Sequence, residues 1–482
     1  MVIIDLHKSD GWTRAPRPEV ACSNPSIFGK ARLVTNVLIV MSDEHTPRVA
    51  SIYGHRRVDT PNMERLAREG TVYDAAYCPS PLCTPSRSSF MSGLPVHQTQ
   101  VYNNCNVVTF TYSTYGGVLA DQGIHTVSIG KTDVYNRSET LGFSEMRLPG
   151  DRRQPGDINF CRTPLTVRED GPARAGRYGP RADAWARDLR VVDDAVSWLT
   201  NTAPSTEVPW VLTVNILAPH FPHHATPELW EKYDGAGDLP EYGPDADTAR
   251  HPYAEDLRHH FQTHAFTDEQ IRGLRQGYLA RVDFVDSQLG RLLDTLEATG
   301  QRNDTVVVYT SDHGEMLGMF GMWWKCSMYE DSVRVPLVVA GPGFAQDSRI
   351  TTPVSLLDLQ ATIFRATDAI RPASWWGTPL QDIPHDDPER AVLAEYHGHG
   401  TRSGTFMVRK GPWKLLFHAA APHQLFHIAS DPDELVNRYG ECPEVAADLE
   451  RELRARCDPE MEFERAHAFE RHQIELLARI SA

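Results

Sequence analysis

The sequence has few cysteines, and no two of them are closely spaced. Its 482 residues include 8 cysteines, scattered without a Cys-X-X-Cys pattern or a dense framework, which favours a reducing compartment. No apolar run approaches the roughly 18 residues that span a bilayer. The first apolar run breaks at Asp5, so the N-terminus lacks a signal-peptide core. We therefore expect a cytoplasmic protein without a membrane partner.

Positive charge is also scarce. The formal net charge is −16, and no basic tract offsets it, which argues against nucleic acid and anionic membranes as partners. An anionic substrate would need a local positive pocket instead. Lysine is rare beside arginine, and two of the few lysines, Lys131 and Lys325, fall in motifs where a compact ammonium would be suitable.

Four short apolar runs predict strands that are buried on both faces. They cover residues 34–41, 126–131, 210–217 and 305–310. Polar residues stand at or just after the end of each run: Asp43 and Glu44, Lys131, His220, and Asp312 with His313. Because ligands bind beyond the carboxyl ends of parallel strands, we expect these side chains to meet in one pocket of an α/β fold.

A further candidate site lies at the start of a short predicted helix. Cys83 precedes Pro85, a residue favoured in the first turn of a helix, and the helical pattern ends at Gly93. Cys83 therefore lies where free backbone N–H groups and the helix dipole favour an anion. Arg87, about one turn further on, adds a fork of donors suited to a tetrahedral oxyanion.

The run Cys83-Thr84-Pro85-Ser86-Arg87 resembles the Cys-X-Pro-Ser-Arg signature of the type I sulfatases. The order and spacing of the strand-end motifs are similar to that family from about residue 35 to 430. The resemblance implies a large mixed, mostly parallel sheet sandwiched by helices, as in alkaline phosphatase, with a smaller C-terminal antiparallel-sheet subdomain. It also implies that a formylglycine-generating enzyme oxidises Cys83 to formylglycine.

By the same resemblance, Asp43, Glu44, Asp312 and His313 would bind a divalent cation together with the oxidised Cys83. Three carboxylates and one histidine make a hard site, so Ca²⁺ is the first choice, with Mg²⁺ or Mn²⁺ as alternatives. The hydrated aldehyde would offer two geminal hydroxyls, one to attack sulfur and one to expel sulfate.

The remaining catalytic roles also come from the family. Lys131, Lys325 and Arg87 would hold the sulfate, and His220 would protonate the leaving oxygen. The family usually has Gly-Lys-X-His where this chain reads Gly130-Lys131-Thr132-Asp133, so either Asp133 or another residue such as His125 takes the base role. Five further residues are candidates for substrate binding: Asn104, His223, Trp324, His399 and Arg402.

The sequence divides into four predicted segments: an N-terminal arm (1–34), a catalytic α/β domain (35–369), a small α+β subdomain (370–458) and a helical tail (459–482). The tail either packs on its own subunit or reaches across a homo-oligomer interface.

We expect hydrolysis of a small-molecule sulfate monoester, aryl or alkyl, to an alcohol and sulfate. Aromatic residues could also surround a quaternary ammonium, as in the choline sulfatases. The alternatives are a phosphonate or phosphate ester hydrolase of the same superfamily, a catalytically silent metal-binding protein, and a cysteine hydrolase.

Overall fold

The computed structural model describes residues 35–105, 111–134, 140–149, 165–168 and 170–481, and the predicted arm 1–34 lies outside them. The described strands are β1 (Asn36–Asp43), β2 (Gly70–Tyr73), β3 (Ala76–Tyr77), β4 (His125–Gly130), β5 (Glu145–Arg147), β6 (Tyr178–Pro180), β7 (Trp210–Pro219), β8 (His223–Ala225), β9 (Thr305–Ser311), β10 (Leu337–Ala340), β11 (Ser348–Ile350), β12 (Val354–Ser355), β13 (Ala391–Tyr396), β14 (Thr405–Lys410), β15 (Trp413–His418) and β16 (Gln424–His427).

The described α-helices are α1 (Pro61–Arg68), α2 (Cys83–Ser92), α3 (Val96–Thr99), α4 (Tyr115–Ala120), α5 (Gly171–Arg174), α6 (Ala186–Asn201), α7 (Pro227–Lys232), α8 (Pro252–Phe261), α9 (Asp268–Ala298), α10 (Glu330–Val333), α11 (Leu356–Ala366), α12 (Pro443–Arg454) and α13 (Pro459–Ser481). Helices α6 and α9 pack on β7, α4 packs on β4, and α11 packs on β1 and α2. Among the described residues, none of the helices combines the length and apolar character that crossing a bilayer needs.

The main sheet has eight strands in the order β11-β2-β10-β9-β1-β7-β4-β5. Strand β1 pairs in parallel with β7 and β9, and β4 pairs in parallel with β7, while β10 runs antiparallel to β2 and β9. The apolar runs of β1 and β9 are buried along their length, as expected for strands covered on both faces. The predicted fold class is confirmed, and the carboxyl ends of β1, β4, β7 and β9 share one edge.

A separate antiparallel sheet of four strands, β13-β14-β15-β16, carries α12 on β14 and β15. Strands β14 and β15 meet at Gly411, whose φ of 51° allows the tight turn that the Lys-Gly-Pro sequence predicts. The buried Lys414 of β15 connects this sheet to the main body. Its Nζ lies 2.9 Å from Glu330 Oε1 and 2.8 Å from Glu434 Oε1.

The C-terminal helix α13 packs on its own chain. The Tyr102 hydroxyl donates to Glu462 Oε1 at 2.7 Å, and Asn103 Nδ2 donates to Gln473 Oε1 at 2.8 Å. Ala466 is buried in a cluster with Val96 and Tyr102. The described residues from 35 onward belong to one compact unit, and the domain boundaries at 369 and 458 stay predictions.

We expect Lys414→Met to lower the free energy of unfolding by about 3–5 kcal/mol, because two buried carboxylates lose their shared cation. Denaturant unfolding followed by tryptophan fluorescence measures the change. Lys410→Met is the control, since the carboxylates around Lys410 are partly or largely exposed and the expected loss is below about 1 kcal/mol. Equal losses in the two variants would contradict this role for Lys414.

Candidate active site

The candidate nucleophile lies at the first residue of α2, with its side chain fully buried. The Sγ atom of Cys83 is 3.3 Å from His313 Nε2. The backbone N–H of Thr84 donates to Asn104 Oδ1 at 2.9 Å, so Asn104 holds the start of α2. This contact places Asn104 beside the site and gives it a positioning role. The substrate contact of Asn104 stays a prediction.

Four candidate ligands meet at the edge of the sheet. One ligand atom each from Asp43, Cys83, Asp312 and His313 lies within 4.8 Å of the others, and all four residues are buried. The His313 Nδ1–H donates to the Gly314 carbonyl at 3.0 Å, which leaves Nε2 directed at the cluster. Among the described residues, Asp43 Oδ1 and Glu44 Oε1 are buried and have no hydrogen-bond partner. Buried carboxylate oxygens of this kind fit a hard cation.

Glu44 reaches the site through a left-handed backbone. Its φ is 68°, a conformation that costs a non-glycine residue about 1–2 kcal/mol and that its surroundings must hold in place. Its N–H donates to Asp312 Oδ1 at 3.2 Å, and its Oε2 lies 3.2 Å from His220 Nε2. Glu44 thus lies between the ligand cluster and His220.

Arg87 is buried among the ligands. Its Nε donates to Asp312 Oδ2 at 2.7 Å, its Nη2 to Asp43 Oδ2 at 3.1 Å, and its Nη1 to Asn215 Oδ1 at 2.9 Å. These contacts correct the expectation that Arg87 holds sulfate directly. Because its donors are directed at the two aspartates, Arg87 orients the ligands and balances their charge.

Two lysines contact acids of the site. Lys131, just after β4, contacts Asp43 Oδ2, and its Nζ is 3.0 Å from Asp133 Oδ2. Lys325 Nζ lies 2.7 Å from His220 Nε2 and 3.4 Å from Glu44 Oε2. His220 Nδ1 is 2.6 Å from the Phe221 carbonyl, so Nδ1 carries the proton and Nε2 accepts from the ammonium.

Asp133, one of two candidates for the base role, lies at the site beside Lys131. The other, His125, stands at the opposite end of β4, where its Nε2 bonds Glu145 Oε1 at 2.8 Å. A strand of this length separates its two ends by roughly 17–20 Å. The structure therefore places His125 away from the site, and Asp133 stays a candidate for the base role.

The buried charges change one another's ionisation. Burial raises the pKa of Asp43, but Lys131, His220 and Arg87 outweigh it and hold that pKa well below its usual range. Burial also opposes ionisation of Glu44, yet His220 and Lys325 lower its pKa to about 2. Burial opposes the charged forms of Cys83 and His313 too. Lys131 and Lys325 nevertheless lower the pKa of Cys83, and Asp312 raises that of His313 to about 9.

Two predicted substrate-binding residues lie near the pocket. The buried ring of Trp324 packs 5.7 Å from the Phe221 ring, and Trp324 directly precedes Lys325. His399 Nε2 is 3.8 Å from Cys326 Sγ, on the other side of Lys325 in sequence. Both predictions are compatible with the geometry.

Two other predicted substrate-binding residues are directed elsewhere. His223 lies on β8 against α9, with Nδ1 3.0 Å from the Leu274 carbonyl, and burial lowers its pKa to about 3. Arg402 lies at the surface and pairs with Asp256 through Nε and Nη2, at 2.8 and 2.9 Å. Each makes its polar contacts away from the ligand cluster, which corrects both predictions.

Sequence reasoning missed two buried residues that support the site. Asn215 interrupts the apolar run of β7. A polar residue inside a predicted buried strand was the feature of the sequence that could have identified it. Glu315 accepts backbone N–H bonds from Leu317 and Trp324 at 2.9 and 2.5 Å, holding the loop that presents Lys325. Burial and the nearby Glu44 raise the pKa of Glu315, which stands in the run Asp312-His313-Gly314-Glu315.

The geometry suits displacement at a tetrahedral oxyanion, because candidate metal ligands and two ammonium groups lie near Cys83. Fold and site thus define an ester hydrolase with candidate ligands for a metal ion. The family model described as Sulfatase matches residues 35–369, and the model described as N-sulphoglucosamine sulphohydrolase, C-terminal, matches residues 318–459. The chain belongs to the sulfatase family and is a sulfuric ester hydrolase.

Individual relatives agree with this assignment. The chain is similar to the choline-sulfatase of Rhizobium meliloti (strain 1021), with 31% identity over 83% of this chain and 82% of that protein. It is 29% identical to arylsulfatase K of Gallus gallus, over 92% and 84% of the two chains.

Solved structures share the fold. One, titled as a complex with its substrate D-glucosamine-2-N,6-O-disulfate, has a TM-score of 0.70 at 20% identity and covers 88% of this chain and 99% of that one. The phosphonate monoester hydrolase of Agrobacterium radiobacter has a TM-score of 0.69 at 20% identity, over 87% and 94% of the two chains.

We expect Asp312→Asn to weaken divalent-cation binding roughly tenfold or more, because the cluster loses a negative ligand. Calorimetric titration with Ca²⁺ and elemental analysis of the purified protein measure the effect. Asp256→Asn, which removes an acid outside the cluster, should bind as the unmodified protein does. Unchanged binding in a folded Asp312→Asn protein, checked by circular dichroism, would argue against the site.

Proposed function

We propose that the protein hydrolyses a small-molecule aryl or alkyl sulfate by means of a formylglycine made from Cys83 and a bound divalent cation. The observation that supports this is the meeting of Asp43, Asp312, His313 and Cys83 within 4.8 Å. Lys131 and Lys325 lie at the same cluster. Its oxygen-rich donor set favours Ca²⁺, and the His313 nitrogen keeps Mg²⁺ and Mn²⁺ as alternatives.

The two cofactors would supply what the unmodified side chains lack. A cation would be held by Asp43, Glu44, Asp312 and His313, and it would supply charge neutralisation for the nonbridging oxygens of the ester. A formylglycine at position 83, in its hydrated form, would supply two geminal hydroxyls, one as the nucleophile and one for the release of sulfate. A cysteine thiol has no second hydroxyl for that release.

The chain's own side chains then divide the remaining tasks. The Lys131 and Lys325 ammonium groups hold the sulfate oxygens, since Lys131 contacts Asp43, Lys325 lies 3.4 Å from Glu44, and both lower the pKa of Cys83. His220 Nε2 accepts a proton from the Lys325 ammonium, 2.7 Å away, and passes it to the leaving oxygen. Asp133, beside Lys131, accepts the proton that must leave when sulfate is released.

Maturation and location follow from the cysteines. Cys83 is buried in the folded protein, so a formylglycine-generating enzyme would act on the chain before it folds. Cys78, Cys105 and Cys326 are buried free thiols, which supports a cytoplasmic protein. A homo-oligomer that uses α13 stays part of the proposal.

The second candidate is a phosphonate monoester hydrolase, since one such enzyme shares this fold over most of both chains. A catalytically silent metal-binding homologue is the third. The relatives named choline-sulfatase and arylsulfatase K favour sulfate esters and suggest, respectively, an alkyl and an aryl leaving group.

The deciding experiment is co-expression with a formylglycine-generating enzyme, followed by mass spectrometry of the peptide containing residue 83 and by rate measurements. We expect an aldehyde at residue 83, and faster release from an aryl sulfate than from the matched aryl phosphonate monoester. Cys83→Ala is the inactive control. An unmodified thiol would favour the silent homologue, and faster phosphonate hydrolysis would favour the second candidate.

We expect His220→Ala to slow hydrolysis of phenyl sulfate by about 10²–10³-fold, but that of 4-nitrophenyl sulfate by less than about tenfold. Phenoxide is a poor leaving group that needs the proton, whereas 4-nitrophenoxide leaves readily as an anion. Steady-state kcat/KM for both esters measures the difference. His224→Ala is the control, and equal losses on both esters in His220→Ala would remove His220 from the acid role.

A further inference from the structure

Two aromatic rings lie beside the position that the alcohol part of the ester would take. Phe221 directly follows His220 and Trp324 directly precedes Lys325, and the His220 and Lys325 side chains contact each other at 2.7 Å. The ring centroids of Phe221 and Trp324 are 5.7 Å apart. These rings therefore form a wall beside the groups that hold the sulfate and protonate the leaving oxygen.

Arg174, the last residue of α5, covers this wall. The centre of its guanidinium group lies 4.4 Å from the centroid of the Phe221 ring and 4.2 Å from that of Trp324. The stacked guanidinium keeps its edge N–H groups available for an oxyanion, because stacking on a ring face uses none of them. Arg174 thus places a cation and hydrogen-bond donors beside the leaving group.

The charge of Arg174 is poorly balanced within the described residues. Its Nη1 is 3.8 Å from Asp170 Oδ2, but the Asp170 side chain is 51% exposed and also pairs with Arg168 at 2.9 Å. The Arg174 side chain is only 17% exposed, and its buried Nε has no hydrogen-bond partner among the described residues. A buried donor without a partner is unfavourable, and a bound acceptor would satisfy it.

Arg174 lies among other positive groups. Burial and Arg168 lower the pKa of Arg174 to about 10, so it remains charged at neutral pH, and Asp170 and Glu44 are the acids near it. Burial, His260, Arg168, Lys325 and Arg174 together hold the pKa of His399 well below its usual value, so three of these groups, Arg168, Lys325 and Arg174, are cations near one imidazole. A chain with net charge −16 therefore concentrates positive charge at this position.

We propose that Arg174 binds a second anionic oxyacid group on the substrate, a carboxylate or a second sulfate carried by the leaving alcohol. This specificity role rests on the proposed sulfate-ester function and narrows its substrate class. The same geometry disfavours a quaternary ammonium alcohol, because the guanidinium already covers the aromatic faces that such a cation would need. Arg174 is a specificity residue and takes no part in bond breaking.

The test compares 3-carboxyphenyl sulfate with its neutral match, 3-carbamoylphenyl sulfate, in the mature protein and in two variants, Arg174→Ala and Arg174→Gln. We expect both variants to lower kcat/KM about 10–100-fold for the carboxylate, the value of a charged hydrogen bond, and less than about threefold for the carboxamide. For each ester, the kcat/KM of the variant is divided by that of the protein with Arg174. Comparing these ratios between the two esters removes the effect of the different leaving-group pKa values. The kcat/KM for 1,3-phenylene disulfate, compared with that for 3-carboxyphenyl sulfate, tells whether Arg174 prefers a carboxylate or a second sulfate.

Arg181→Ala is the matched control, because Arg181 is an exposed arginine of the same segment that pairs with Asp183. Equal losses for Arg181→Ala and Arg174→Ala, or equal losses on the carboxylate and the carboxamide, would overturn the proposal. Faster hydrolysis of choline O-sulfate than of 3-carboxyphenyl sulfate would also overturn it.

A calorimetric arm separates this inference from the proposed function. The Cys83→Ala protein, alone and combined with Arg174→Gln, is titrated with the carboxylate and carboxamide esters. If the mature protein hydrolyses no ester, the proposed function fails. The role of Arg174 is still decided by the titrations, which show whether Arg174→Gln weakens binding of the carboxylate ester more than binding of the carboxamide ester. If the carboxamide ester is hydrolysed but Arg174→Gln binds both esters as its parent does, only the inference fails.

Discussion

Arg87 lies at the centre of the catalytic edge and pairs with an aspartate from each of two neighbouring strands. Removing an arginine and two carboxylates from water costs several kcal/mol for each ion unless the ions are paired and hydrogen-bonded. The start of α2 and the ends of β1 and β9 must therefore come together with small tolerance. The placement of Cys83, one turn before Arg87 on the same helix, depends on this pairing.

A second set of contacts presents the groups that handle the leaving alcohol. Glu315 accepts the backbone N–H of Trp324, so the loop after β9 is tied back to its own strand end. Lys325 follows and reaches His220 at the end of β7. A globally acidic chain thus brings two lysines, Lys131 and Lys325, to one location, where Asp43 and Glu44 hold them and an anionic ester benefits from them.

Much of this arrangement is predictable because chain position determines it. A residue that directly follows a buried parallel strand lies at the carboxyl edge of the sheet, which is why Asp43, Lys131, His220 and Asp312 meet as expected. His223 and Arg402 lack that constraint. His223 Nδ1 contacts the Leu274 carbonyl of α9, and Arg402 has an acid of α8 for its partner.

The amino-acid sequence by itself determined the apolar strands, the polar residues at their ends and the Cys83–Arg87 run, because each depends on residues close together in the chain. Tertiary structure alone decided that Arg87 orients aspartates and that Arg174 covers Phe221 and Trp324. Such contacts join segments far apart in sequence. Their side-chain directions follow from strand pairing and packing, which local patterns do not encode.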